Sequence, residues 1–233
     1  MLAEVPQFYQ LLFIGTTLIT LYLFARYLRL SLIKEEVRRL ITACLLVWLC
    51  MIGYVASTGY LLDTTSLPPK FIVAVLPPIF LMLFVFNTKK GKAFVDQLSL
   101  LHITYLNVIR IPVEIGLHGL FLASVLPEAM TYSGWNFDII AGITAPFVAY
   151  YGIQKGMMSR KMLLAWNVIC LILLLTIIII SILSAPLPFQ QIGFGVEHFA
   201  MMYYPFNWLP AFIVPVVLFG HFASIRFLWE RED

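Results

Sequence analysis

Leu100–Leu126 reads LLHITYLNVIRIPVEIGLHGLFLASVL, 27 residues of apolar chain that nevertheless carry His102, Asn107, Arg110, Glu114 and His118. A helix needs roughly 17–25 mostly apolar residues to cross a bilayer, so this stretch is long enough to do so. It then places one full positive and one full negative charge near mid-membrane. Charges there cost several kcal/mol unless they are paired or face a polar interior, and they point to a functional site. At 100° per residue, Asn107, Arg110, Glu114 and His118 fall within an arc of about 80°, a polar stripe roughly 16 Å tall. Arg110 and Glu114 are four apart and are spaced to meet directly on one face. Pro112 lies between them and is expected to bend the helix and free the carbonyl of Val108.

The remainder of the chain has the same character. Of its 233 residues, 61% are hydrophobic and 12% charged, and the mean hydropathy is +0.93. A soluble domain of this size is about half apolar and one quarter charged, so the composition belongs to an integral membrane protein. Cys44, Cys50 and Cys170 sit inside apolar runs, which gives neither a disulfide framework nor a paired-cysteine metal motif. The net charge of +3 comes from basic residues in connecting loops and makes no case for nucleic acid. Met1–Pro6 holds an acid and no basic run, so no cleaved leader is expected.

Seven stretches qualify, or nearly qualify, as spans: about Phe8–Phe24, Leu40–Leu62, Phe71–Phe86, Leu100–Leu126, Phe137–Ile153, Met162–Ser184 and Trp208–Leu228. The third contains Pro77-Pro78 and the fifth contains Gly142 and Pro146; these are the shortest and most broken. With seven crossings, 13 of the 15 Lys and Arg residues fall on one side. They are Arg26, Arg29, Lys34, Arg38, Arg39, Lys89, Lys90, Lys92, Lys155, Arg160, Lys161, Arg226 and Arg231; Lys70 falls opposite and Arg110 is intramembrane. Basic loops face the cytoplasm, which predicts an all-α bundle over residues 1–233, N-terminus outside and C-terminus cytoplasmic. The expected location is the cell membrane, of the bacterial inner-membrane kind. The basic loops also predict contact with anionic lipid head groups.

On the outer side lie Glu4, Asp63, Glu128, Asp138 and Glu197, and a long connection, Ala185–Asn207, dense in aromatic residues. That density predicts an interfacial belt with a short helix lying flat at Val196–Tyr204. His118, Glu128, Asp138, Glu197 and His198 share this side, but no spacing among them matches a metal motif, so no metal is assigned. His221 lies at a depth close to His102 and Asn167 and could pair with either. Asn167 itself suits helix–helix adhesion.

A retinal-binding seven-helix protein needs a lysine in its last span, and residues 208–228 have none. There is no Gly-x-Ser-x-Gly, His-Glu-x-x-His or phosphate loop. The pattern therefore predicts a small transporter, channel or sensor with a ligand or ion site at Arg110, Glu114, His118 and Asn107. His102, Asp138, Asn167 and His221 are secondary candidates. No catalytic residue and no cofactor is assigned; a small-molecule or ion ligand and a homo-oligomer are the expected partners beyond lipid. The alternatives are a membrane enzyme acting on a lipid or isoprenoid, and a non-catalytic component using Arg110 and Glu114 for packing.

Overall fold

Glycine and proline set where the helices start, stop and bend. A computed structural model describes residues 2, 4–196 and 198–230. Its helices are α1 (Gln7–Arg29), α2 (Glu35–Ser57), α3 (Ile72–Asn87), α4 (Lys89–Val95), α5 (Leu100–Leu106), α6 (Arg110–Leu122), α7 (Ile139–Phe147), α8 (Arg160–Ser184) and α9 (Val214–Glu230). Gly59, in the left-handed region at φ 77°, ends α2, so Tyr60–Leu62 forms a separate 3-10 turn beyond the span. Asp63 then receives Lys70 at 2.7 Å together with the Ser66 and Thr65 hydroxyls, closing that outer loop. The Lys70 ammonium and these hydroxyls hold the Asp63 carboxyl well below its ordinary range, and Asp63 in turn raises Lys70.

Among the described residues, five helices are long and apolar enough to cross a membrane: Gln7–Arg29, Glu35–Ser57, Leu100–Leu122, Arg160–Ser184 and Leu209–Glu230. The third and fifth expected spans are the two that fall short. α3 has 16 residues, contains Pro77 and Pro78, and turns by 94° into α4 at Thr88. The fifth begins only at Ile139, because residues 123–138 run as irregular chain, and it ends in a π-helical turn at Val148–Gln154 after Pro146. Ile139–Gln154 is therefore a short apolar helix.

Proline leaves a carbonyl without its i+4 donor, and the bundle supplies substitutes. Before Pro112 the chain tightens into one 3-10 turn, Asn107–Ile109, which joins α5 to α6 within the fourth span. Pro215 cannot donate to the Ala211 carbonyl, and the Trp48 indole does so instead, at 3.0 Å. Trp208 and Asn207 return the contact, donating to the carbonyls of Leu49 (3.0 Å) and Ile52 (3.1 Å) on α2. Replacing Trp48 with Phe keeps most of the apolar volume but strands the buried Ala211 carbonyl. We expect a loss of about 1–3 kcal/mol in an unfolding titration of the purified protein.

α6 is the buried centre. Gly116 and Gly119 let α1 lie directly against it: a Cβ at Gly119 would meet the Tyr9 ring at 2.1 Å, and one at Gly116 the Phe13 ring at 2.5 Å. Gly119→Ala should therefore cost about 1–3 kcal/mol, as over-packing does. Shortening the neighbour, in Gly119→Ala with Tyr9→Ala, should remove the clash part of that loss in the same titration. The outer connection departs from the flat helix expected at Val196–Tyr204. Only a 3-10 turn forms, at Ala200–Met202, and Phe199, Ala200, Met201 and Met202 are all buried. Ala200 N–H donates to the Val125 carbonyl at 2.9 Å, so this segment packs into the end of the bundle where α6 stops. Phe189 and Phe194 remain exposed. Glu197 lies outside the described residues.

Candidate functional site

The polar stripe of the fourth span touches α8 and α9 through Arg110 but does not face another helix along the rest of its length. It faces the irregular chain that precedes α7. From Met130 that chain runs back toward the start of α6 and matches the stripe residue by residue. At the outer end, Ser133 Oγ lies 3.4 Å from His118 Nδ1 and Tyr132 stacks on the imidazole at 4.6 Å. Further in, the Asn136 amide donates to both Glu114 oxygens, at 2.7 and 2.8 Å. Deepest, Asp138 forms a two-pronged ion pair with Arg110. The local sequence explains the register. In Trp135-Asn136-Phe137-Asp138 the chain leaves a turn and enters α7, and the alternate residues Asn136 and Asp138 are buried while Trp135 and Phe137 are exposed.

Arg110 is 2% exposed, and every N–H of its guanidinium has an acceptor. Nε and Nη2 donate to Asp138, Nη2 also to the Cys170 carbonyl at 3.2 Å, and Nη1 to Asn107 Oδ1 at 3.3 Å and His221 Nε2 at 3.0 Å. Guanidinium has five donors, and all five are used. One side chain thereby ties the fourth span to the start of α7, to α8 and to α9. The direct Arg110–Glu114 meeting suggested by their spacing is absent: Arg110 pairs with Asp138. A carboxylate presented in the plane of the guanidinium makes two parallel bonds, which a neighbour on the same helix cannot match.

His221 does pair with Asn167, and not with His102. Arginine only donates, so His221 Nε2 accepts from it and the ring proton sits on Nδ1, facing Asn167 Oδ1 at 3.2 Å. The Asn167 amide continues to the Leu163 carbonyl at 3.0 Å. Asn107 is anchored to the Ile103 and Thr104 carbonyls. His102 stands apart, stacked on Tyr27 at 5.0 Å, with Nδ1 buried and unpartnered. His198 is held by the Tyr203 hydroxyl at 3.1 Å. Among the described residues no three His, Cys, Asp or Glu side chains come together to hold a metal ion.

Glu114 differs from Arg110. It is 1% exposed, forms no ion pair among the described residues, and accepts hydrogen bonds from Asn136 alone. No family model, curated protein or solved structure matches this chain. Its chemistry therefore rests on these contacts. Arg110 has no N–H left for an anionic ligand while the network is closed. Glu114 has lone pairs to spare, and its two oxygens share one amide nitrogen that also donates to the Met130 carbonyl at 3.1 Å. A proton on either oxygen would set O–H against N–H there and weaken the hold on Asn136.

Asn136 is the residue that sequence reasoning missed, and Asp138, a secondary candidate on the outer side, is not matched to Arg110 by any spacing in the sequence. The legible signal was the alternation of aromatic and polar residues at 135–138. Within it the polar residues Asn136 and Asp138 are the ones buried.

Proposed function

We propose that this chain is a seven-crossing membrane protein, N-terminus outside, that moves or senses a small ligand through a proton or cation taken up at Glu114. The observation that carries this is the contrast between the two buried charges: Arg110 is saturated, whereas Glu114 has one amide donor and no cation. An intramembrane acid held so lightly is suited to exchange a proton or bind a cation. Ser133, Asn136 and the exposed face of residues 132–137 form the cover between Glu114 and the outer medium. Taking up a proton at Glu114 releases Asn136, and the cover loosens while Asp138 keeps its root fixed on Arg110. α3 and the α7 helix with its π-helical turn serve as the two shortened crossings that bring the basic loops to one side.

A non-catalytic scaffold is the second possibility, favoured by the saturation of Arg110. A membrane enzyme would need a second acid or base beside Glu114; its partner is an amide, and Asp138 is engaged by Arg110.

Cysteine labelling separates these in membrane vesicles. With Cys44 and Cys50 replaced by Ser, Thr131→Cys, buried in the same segment with Asn136 left in place, should react with a charged, membrane-impermeant maleimide added on the outer side and not on the inner. Reaction should quicken in the Glu114→Gln background. Protection from both sides in both backgrounds would leave the scaffold.

A further inference from the structure

Away from the polar ladder, the bundle contains a cavity of about 390 Å³ whose walls are almost entirely apolar. It lies between α2, α3 and α9, with Phe24 of α1 at one side and α4 beneath it. The helix breaks create it. Pro77-Pro78 in α3 and Pro215, just after the π-helical turn Leu209–Ile213, all line the gap. α3 buries only Ala74, so this helix stands off from the core and leaves the cavity reachable from the side. Cys44, which is exposed, sits in its wall.

The floor is a fixed piece of structure. α4 turns under α3, its first turn capped by the Thr88 hydroxyl, which accepts from Gly91 N–H at 3.1 Å. A Cβ at Gly91 would meet the Val85 carbonyl oxygen at 2.1 Å, so only glycine permits this close return. Gly91 and Phe94 close the cavity, while Lys89, Lys90 and Lys92 are exposed around them and form no ion pair among the described residues. An apolar chamber of ligand-pocket size thus has, in the helix that floors it, three exposed lysines flanking Gly91 in sequence, whose long stems can carry an ammonium group toward its rim.

We propose that the cavity is a binding site for one anionic phospholipid, its acyl chain between α2, α3 and α9 and its phosphate against Lys89, Lys90 and Lys92. Charge complementarity selects this occupant: an uncharged isoprenoid fills the chamber but leaves the lysines unanswered, and a zwitterionic phospholipid offsets its phosphate with a cation of its own, which the lysines repel. The site is independent of Glu114 and does not require the transport proposal.

Native mass spectrometry of the purified full-length chain, with phosphatidylglycerol or phosphatidylcholine added in detergent, tests it. The wild type should retain one phosphatidylglycerol in preference to phosphatidylcholine. Replacing all three lysines with Ala should weaken retention of phosphatidylglycerol roughly tenfold or more, since each lysine contributes separately near an anionic group. Cys44→Trp, which fills the chamber, should lose the lipid, whereas Cys50→Trp, exposed on the same helix but outside the wall, should keep it. As a readout free of substitution, phosphatidylglycerol should slow alkylation of Cys44 but not of Cys50. Equal retention of the two lipids, or retention unchanged both by the lysine changes and in Cys44→Trp, would overturn the proposal, as would unhindered alkylation of Cys44.

Discussion

Arg110→Met will lower the stability of the protein by about 3–5 kcal/mol, because it leaves the Asp138 carboxylate buried without its cation. It also strands the Asn107 oxygen and the His221 lone pair, two acceptors that Arg110 now satisfies. Asp138→Leu should lose a similar amount by the converse route, isolating the guanidinium. The double variant should recover most of either loss, since removing both charges removes both desolvation penalties. Unfolding in mixed micelles, titrated with a denaturing detergent, measures all three. The same double-mutant cycle between Arg110 and Glu114 should return a much smaller coupling. Losses that simply add for Arg110 and Asp138 would show that the two side chains act independently.

Glu114→Gln has the second large effect, and it falls on activity. The substituted amide keeps one acceptor oxygen toward Asn136 but turns its own N–H₂ toward the same nitrogen. It thus imitates the protonated acid. The fold should persist, with a stability loss of about 1–2 kcal/mol from one weakened buried hydrogen bond. Any transport or signalling that depends on a proton should fall to background. Backbone amides of residues 131–136 should exchange hydrogen faster than in the wild type, while those of α8 remain unchanged. Asn136→Leu, which removes the donor, should loosen the same segment and leave Glu114 able to titrate. A Glu114→Gln variant with full proton-dependent activity would remove Glu114 from the mechanism.

Much of the bundle was legible in the chain because hydrophobic length is a strong signal. Five of the seven expected stretches became helices of spanning length. The polar stripe was legible too, since helical spacing alone puts Asn107, Arg110, Glu114 and His118 on one face. Their partners were not. The choice between Glu114 and Asp138 for Arg110 depends on where an irregular segment lies, and periodicity carries no information about that. Residues 123–138 follow neither the 3.6-residue nor a long two-residue repeat, so their return along α6 became visible only in three dimensions. The Val196–Tyr204 expectation failed for a related reason. Aromatic density signals either a membrane belt or a buried plug, and Phe199, Met201 and Met202 took the second course.

The protonation of Glu114 itself is the most direct test. Difference infrared spectra of the wild type and Glu114→Gln, reconstituted in vesicles, should be recorded while the outer medium is taken from alkaline to acid. A carbonyl band of a protonated carboxylic acid should appear in the wild type, shift in heavy water, and be missing in Glu114→Gln. No band assignable to Glu114 across the range, or one that never exchanges with the outer medium, would contradict a proton site at Glu114 and leave the ladder as packing alone.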